Sequence, residues 1–152
     1  MAYNATTFRG AGTEIIRSAQ FQRINNTEEK LIVGVQHHIY TVLSITMRNF
    51  ARSGTEQGYL KLYAYDVKAG TAGEQIFIAV ASCNPKETYV WNDKFSFNGF
   101  GPADFGTGLG TDATNQDAIA DQGGAYQYLV FHTDTSNTTY DVTITYIDQN
   151  NS

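Results

Sequence analysis

Residues Tyr140 to Ile147 alternate apolar and polar side chains without a break, reading Tyr-Asp-Val-Thr-Ile-Thr-Tyr-Ile. Side chains on a strand point to opposite faces with a period of two. Tyr140, Val142, Ile144 and Tyr146 therefore line one face, and Asp141, Thr143 and Thr145 line the other. A strand in this register has one side in a core and one in water, the pattern of antiparallel sandwiches.

The same grammar recurs upstream. Leu31, Val33 and Val35 alternate in a first run, and Leu43, Ile45 and Met47 alternate against Ser44, Thr46 and Arg48 in a second. Leu60, Leu62 and Ala64 face away from Tyr59, Lys61, Tyr63 and Tyr65. Further strands are expected at Ile76–Val80, Thr88–Trp91, Phe95–Phe97 and Tyr126–Thr133. Turn formers separate them, among them Arg52-Ser53-Gly54-Thr55, Gly70-Thr71-Ala72-Gly73 and Asn84-Pro85-Lys86-Glu87. The expected architecture is all-β: an antiparallel β-sandwich or jelly roll of about eight strands. A helical 3.6 period is sustained nowhere, and Asp117–Asp121 offers a single turn at most.

Three parts of the chain depart from this rhythm. Residues 1–30 carry isolated apolar anchors (Phe8, Ile15, Ile16, Phe21) and read as an N-terminal arm or an edge strand, with the arm favoured. Residues 98–124 form a long glycine-rich loop with Phe100, Phe105 and Leu109 among its few large apolar side chains. Residues 31–148 make the sandwich domain, and 149–152 a short tail.

Composition narrows the picture. Charged residues are 16% of the chain, well below the usual quarter, and ten Tyr and nine Phe accompany many Thr, Asn and Ser. A low-charge, tyrosine-rich surface desolvates few ions when it meets another protein. Net charge is −5 and no two Lys or Arg are adjacent, so an electrostatic footprint for nucleic acid or an anionic membrane is missing. The lone Cys83 follows an apolar run and reads as a buried, inert thiol. The Met1-Ala2-Tyr3-Asn4 start has no signal-peptide pattern, so synthesis in a cytoplasm is expected and the sequons at Asn4, Asn25 and Asn137 read as chance matches.

Chemistry is hard to find. His37 and His38 are adjacent, and a strand would send them to opposite faces, so they cannot ligate one ion within one chain. Asp112, Asn115, Asp117 and Asp121 lack the spacing and bidentate Glu of a calcium loop. The glycines from Gly106 to Gly110 precede no helix and no Gly-Lys-Ser/Thr. No Gly-x-Ser-x-Gly elbow nominates a nucleophile for His132. No cofactor, metal or catalytic set is expected. The candidate functional residues are instead protein contacts: Phe8, Ile15, Ile16, Phe21, Tyr59, Tyr63, Tyr65, Phe100, Phe105 and Leu109. Trp91 with the Tyr face also suits a carbohydrate- or receptor-binding module, and paired acids on two strands leave a small hydrolase as a third class.

The succession Tyr40–Asn49, Leu60–Tyr63, Ile76–Val80, the turn Asn84-Pro85-Lys86-Glu87-Thr88, Tyr89–Trp91 and Asp141–Tyr146 resembles small β-sandwich virion accessory proteins of tailed bacteriophages. It covers residues 31–100 and 126–148 and contains no catalytic signature. The resemblance implies a capsid decoration (cement) protein, or a head–tail or tail accessory protein. It would sit on the virion surface as a homo-oligomer, a trimer for preference, bound to the major capsid protein or another virion protein.

Overall fold

A computed structural model describes residues 12–51, 54–66, 68–101 and 124–151. Among them the chain is all-β. Its nine strands are β1 (Thr13–Ile24), β2 (Glu29–Val33), β3 (His38–Asn49), β4 (Glu56–Asp66), β5 (Thr71–Cys83), β6 (Thr88–Trp91), β7 (Phe95–Asn98), β8 (Tyr128–Thr133) and β9 (Tyr140–Asn150). They form two antiparallel sheets. The first runs β1-β9-β3-β6 with β7 also on β3, and the second runs β2-β8-β4-β5.

Both β6 and β7 pair with the side of β3 that faces away from β9, β6 along Ile45–Arg48 and β7 along Ile39–Val42. They are two halves of one strand broken at Asn92-Asp93-Lys94. Counting them as one gives eight strand positions in the order of a jelly roll, so that topology takes the place of a generic sandwich.

The core lies between the sheets. Tyr140, Val142 and Ile144 from β9 are buried there, with Val42, Ile45 and Met47 from β3, Leu60 and Leu62 from β4, and Leu129 and Phe131 from β8. Two side chains tie one sheet to the other. Tyr140 Oη donates to the Glu56 carbonyl at 2.6 Å, and Asn49 Nδ2 donates to the Cys83 carbonyl at 2.9 Å. Cys83 is a free, buried thiol whose pKa burial pushes up.

Bulges shift two of the expected alternations. In β2 the register slips between Lys30 and Ile32. Leu31 and Ile32 are both buried as a result, while Val33 is 50% and Val35 49% exposed. In β3 the slip falls between Val42 and Ser44, so Val42 enters the core beside Ile45 and Leu43 is left half-buried. An extra residue in one strand moves every later side chain to the other face.

Near both ends the described residues are more regular than expected. Residues 13–24 form an edge strand paired with β9, with Ala19, Phe21 and Ile24 against the core. Residues 1–11 lie outside the described residues. At the other end β9 continues to Asn150, through the start of the expected tail.

Burial also fixes an alkaline limit. The Tyr40 phenol, 3% exposed, is pushed up to about 12 by burial and then by the Asp148 charge. Burial likewise raises Tyr140. An unfolded tyrosine titrates near pH 10. The neutral phenols therefore contribute stability that is complete below about pH 10 and falls as pH approaches about 12, by on the order of 2 kcal/mol for Tyr40. Urea midpoints that stay level between about pH 8 and about pH 12 would contradict this.

Candidate contact surface

The outward side of the second sheet is built by register. Tyr63 of β4 pairs with Tyr128 of β8, Lys61 with Val130, and Tyr59 with His132. On the β5 side Gln75 lies beside Tyr63, Phe77 beside Lys61 and Val80 beside Tyr59. On the β2 side Val33 lies beside Tyr128 and Lys30 beside Val130. Two rows of side chains thus cross all four strands and a third crosses three, and five of the eleven side chains carry a ring.

The rings pack on one another. Tyr63 and Tyr128 stack at 4.7 Å with planes 9° apart, and Tyr126 lies 5.3 Å beyond Tyr128. Lys30 Nζ sits 4.5 Å from the Tyr128 ring and 5.3 Å from the Tyr126 ring. Tyr59 stacks on His132 at 5.1 Å and meets Phe77 edge-on at 5.9 Å. Such contacts add roughly 0.5–1.5 kcal/mol each beyond simple burial.

A polar strap crosses the middle. From the turn before β2, Glu28 accepts hydrogen bonds from Tyr63 Oη at 2.7 Å and Lys61 Nζ at 3.3 Å. Lys61 also donates to Gln75 at 3.0 Å and lies over the Phe77 ring. Val130, on this outward side, is fully buried among these side chains. Burial alone would raise the Glu28 carboxyl, yet the bonds from Tyr63 and Lys61 and the Lys61 charge hold it below its usual value. Burial and then the Glu28 bond push the Tyr63 phenol up to about 12. The His132 Nε2 is buried without a hydrogen-bond partner.

No protein-family model matches the chain. No curated protein matches it either. Among solved structures it is similar to a chain described under "Bacillus endospore appendages form a novel family of disulfide-linked pili", at 12% identity over 94% of this chain and 93% of that one. The TM-score is 0.44, too low to carry an argument about role. The resemblance to phage accessory proteins therefore stands on the strand-and-turn succession alone.

Of the expected contact residues, Tyr59 and Tyr63 lie within this surface. Tyr65 is half-buried at the far end of β4, where its backbone N–H donates to Gln127 Oε1. Phe100 is half-buried and bridges to Tyr126. Ile16 is 70% exposed on the outward side of the first sheet. Phe21 packs on the core, and half-buried Ile15 shares its side of β1. Phe8, Phe105 and Leu109 lie outside the described residues, as do Asp112, Asn115, Asp117 and Asp121.

Sequence reasoning missed Tyr126, Tyr128, His132, Phe77 and the Glu28 strap. Shared parity of Tyr126, Tyr128 and His132 was a usable signal, but only the β4–β8 pairing sets them against Tyr59 and Tyr63. Trp91 packs on the core and its Nε1–H donates to the Asp93 carbonyl at 2.7 Å, which leaves it a poor sugar platform.

A second polar cluster sits at the start of β3. Asp148, 6% exposed in its side chain, accepts from Arg17 Nε at 3.0 Å and contacts His38 Nδ1 at 2.7 Å. His37 lies in the turn before the strand with φ 63°. The expected opposition of two strand histidines therefore does not arise. Among the described residues no three His, Cys, Asp or Glu gather as a metal set, and no helix is long and apolar enough to cross a membrane.

Proposed function

We propose that the protein is a non-enzymatic structural subunit that binds other protein subunits through the aromatic outer face of the second sheet. Its specific form is a capsid decoration protein of a phage particle, bound at the virion surface where it bridges capsid subunits. The observation that carries this reading is the ring arrangement. Tyr63 and Tyr128 cover each other, Tyr59 covers His132, and Lys30 lies over Tyr128. A sugar platform needs free ring faces, whereas a flat protein contact takes ordered ring edges, hydroxyls and apolar rims. The strand succession supports the virion setting, and repetition over a shell would turn modest contacts into strong net stabilisation.

Co-sedimentation with purified tailed-phage capsids tests the proposal. The wild-type chain is expected to bind, and Tyr59→Ala with Tyr63→Ala to weaken binding by about tenfold or more while leaving the circular dichroism unchanged. Wild-type protein that ignores capsids but binds on a glycan array would overturn it in favour of a carbohydrate-binding module.

A further inference from the structure

The sheets have edges of very different kinds. Edge strands β2, β6 and β7 are 5, 4 and 4 residues long, and β2 carries Glu29 and Lys30. β1 has 12 residues and carries Glu14, Arg17 and Arg23. Short strands and charges of this kind keep an edge from pairing with another chain. β5 is long, and its one charged residue, Glu74, lies near its start. It runs for 13 residues, and from Gln75 to Ser82 it contains no charged residue and no proline. Among the described residues it pairs only with β4. On this apolar run Ile76 is 41%, Phe77 57% and Val80 44% exposed.

We propose that β5 is a self-association edge, at which two copies join antiparallel across a two-fold axis and fuse their second sheets into one. The reason to choose a second copy lies in the β5 bulge. Ile78 is an extra residue there, because Ala79 pairs with Leu60 while Phe77 pairs with Lys61. An unbroken strand would send residues 77 and 80 to opposite faces. The bulge returns both to the outward face, and it places Ile76 and Ala81 together on the inward one.

A two-fold pair centred on the bulge then matches every face. Phe77 meets Val80 of the partner subunit, Ile76 meets the partner's Ala81, and Gln75 meets the partner's Ser82. Each match occurs twice by symmetry, as an isologous contact requires. No like charges oppose each other, and aromatic–β-branched pairs are among the favourable cross-strand neighbours. The exposed backbone groups of the edge are satisfied at the same time. The geometry gives a two-fold dimer in place of the trimer expected from sequence. It also carries the aromatic outer surface continuously across both copies, and it deepens the structural role proposed above, on which it rests, by joining the β5 rims of that surface.

Sedimentation equilibrium of the full chain, with hydrogen exchange over residues 75–82, tests this. The expected result is a dimer whose β5 amides lose protection on dilution. Val80→Lys should weaken it by about tenfold or more, and Ile16→Lys on the β1 edge should leave it unchanged. If Val80→Lys also alters the circular dichroism, Phe77→Lys supplies the same test. A monomer at every concentration would overturn the proposal. So would a dimer indifferent to both β5 lysines, or protection that does not change with dilution. Capsid binding that survives in a monomeric Ile76→Lys variant, altered on the inward side of β5 and outside the aromatic face, would separate loss of this edge from loss of the proposed function.

Discussion

Gly99→Ala is expected to lower unfolding stability by about 3 kcal/mol or more, read as a drop in the urea midpoint at unchanged slope. Gly99 follows β7 where the chain leaves the first sheet. Its N–H donates to the His38 carbonyl at 2.8 Å, and its carbonyl accepts from Gln127 N at 2.7 Å. Gln127 in turn accepts from Gly34 N at 2.8 Å. Three stretches of backbone thus meet with no side chain between them. A Cβ on Gly99 would fall on the Val35 carbonyl, and one on Gly34 would fall on the Gly99 carbonyl. Backbone cannot rotate away as a side chain can, so an alanine breaks the junction. Gly34→Ala should cost about as much, and the double variant little more than either alone, because both disrupt one contact. Independent, additive costs would show that the junction is not a unit.

Phe131→Ala should cost about 3–5 kcal/mol, the upper range for a lost buried ring. Phe131 is fully buried, contacts the Tyr140 ring at 5.5 Å and lies over Gly58 of the neighbouring β4. A Cβ on Gly58 would land on the ring's Cζ. Gly58→Ala alone should therefore cost roughly 1–3 kcal/mol through overpacking. In a Phe131→Leu background, where that atom is gone, the same change should cost at least roughly 1 kcal/mol less. Equal costs in the two backgrounds, measured by urea unfolding, would mean that the ring does not set the glycine.

Strand identity was legible because period-two patterning is local. Leu60, Leu62 and Ala64 against Tyr59, Lys61 and Tyr63 read correctly from the chain, and so did Tyr140, Val142 and Ile144. The bulges were not legible. Leu31-Ile32 and Val42-Leu43 are equally apolar in either register, so only pairing with β8 and β9 decides which residue turns inward. Gly58 and Gly99 show the same limit from the other side. Each is a glycine because of an atom brought near it by the fold, and turn chemistry does not predict either one.

The candidate surface was half visible. Tyr59 and Tyr63 announced an exposed aromatic row, but Tyr128 and His132 lie more than sixty residues away in sequence, by the register of β4 with β8. By itself the sequence determined that this chain is an all-β sandwich poor in charge, because composition and alternation are properties of each segment alone. The tertiary structure decided the jelly-roll order, the stacked face under the Glu28 strap and, among the described residues, the edge position of β5. Each of these depends on which strand lies beside which, and many pairings of half-buried strands satisfy the same alternation.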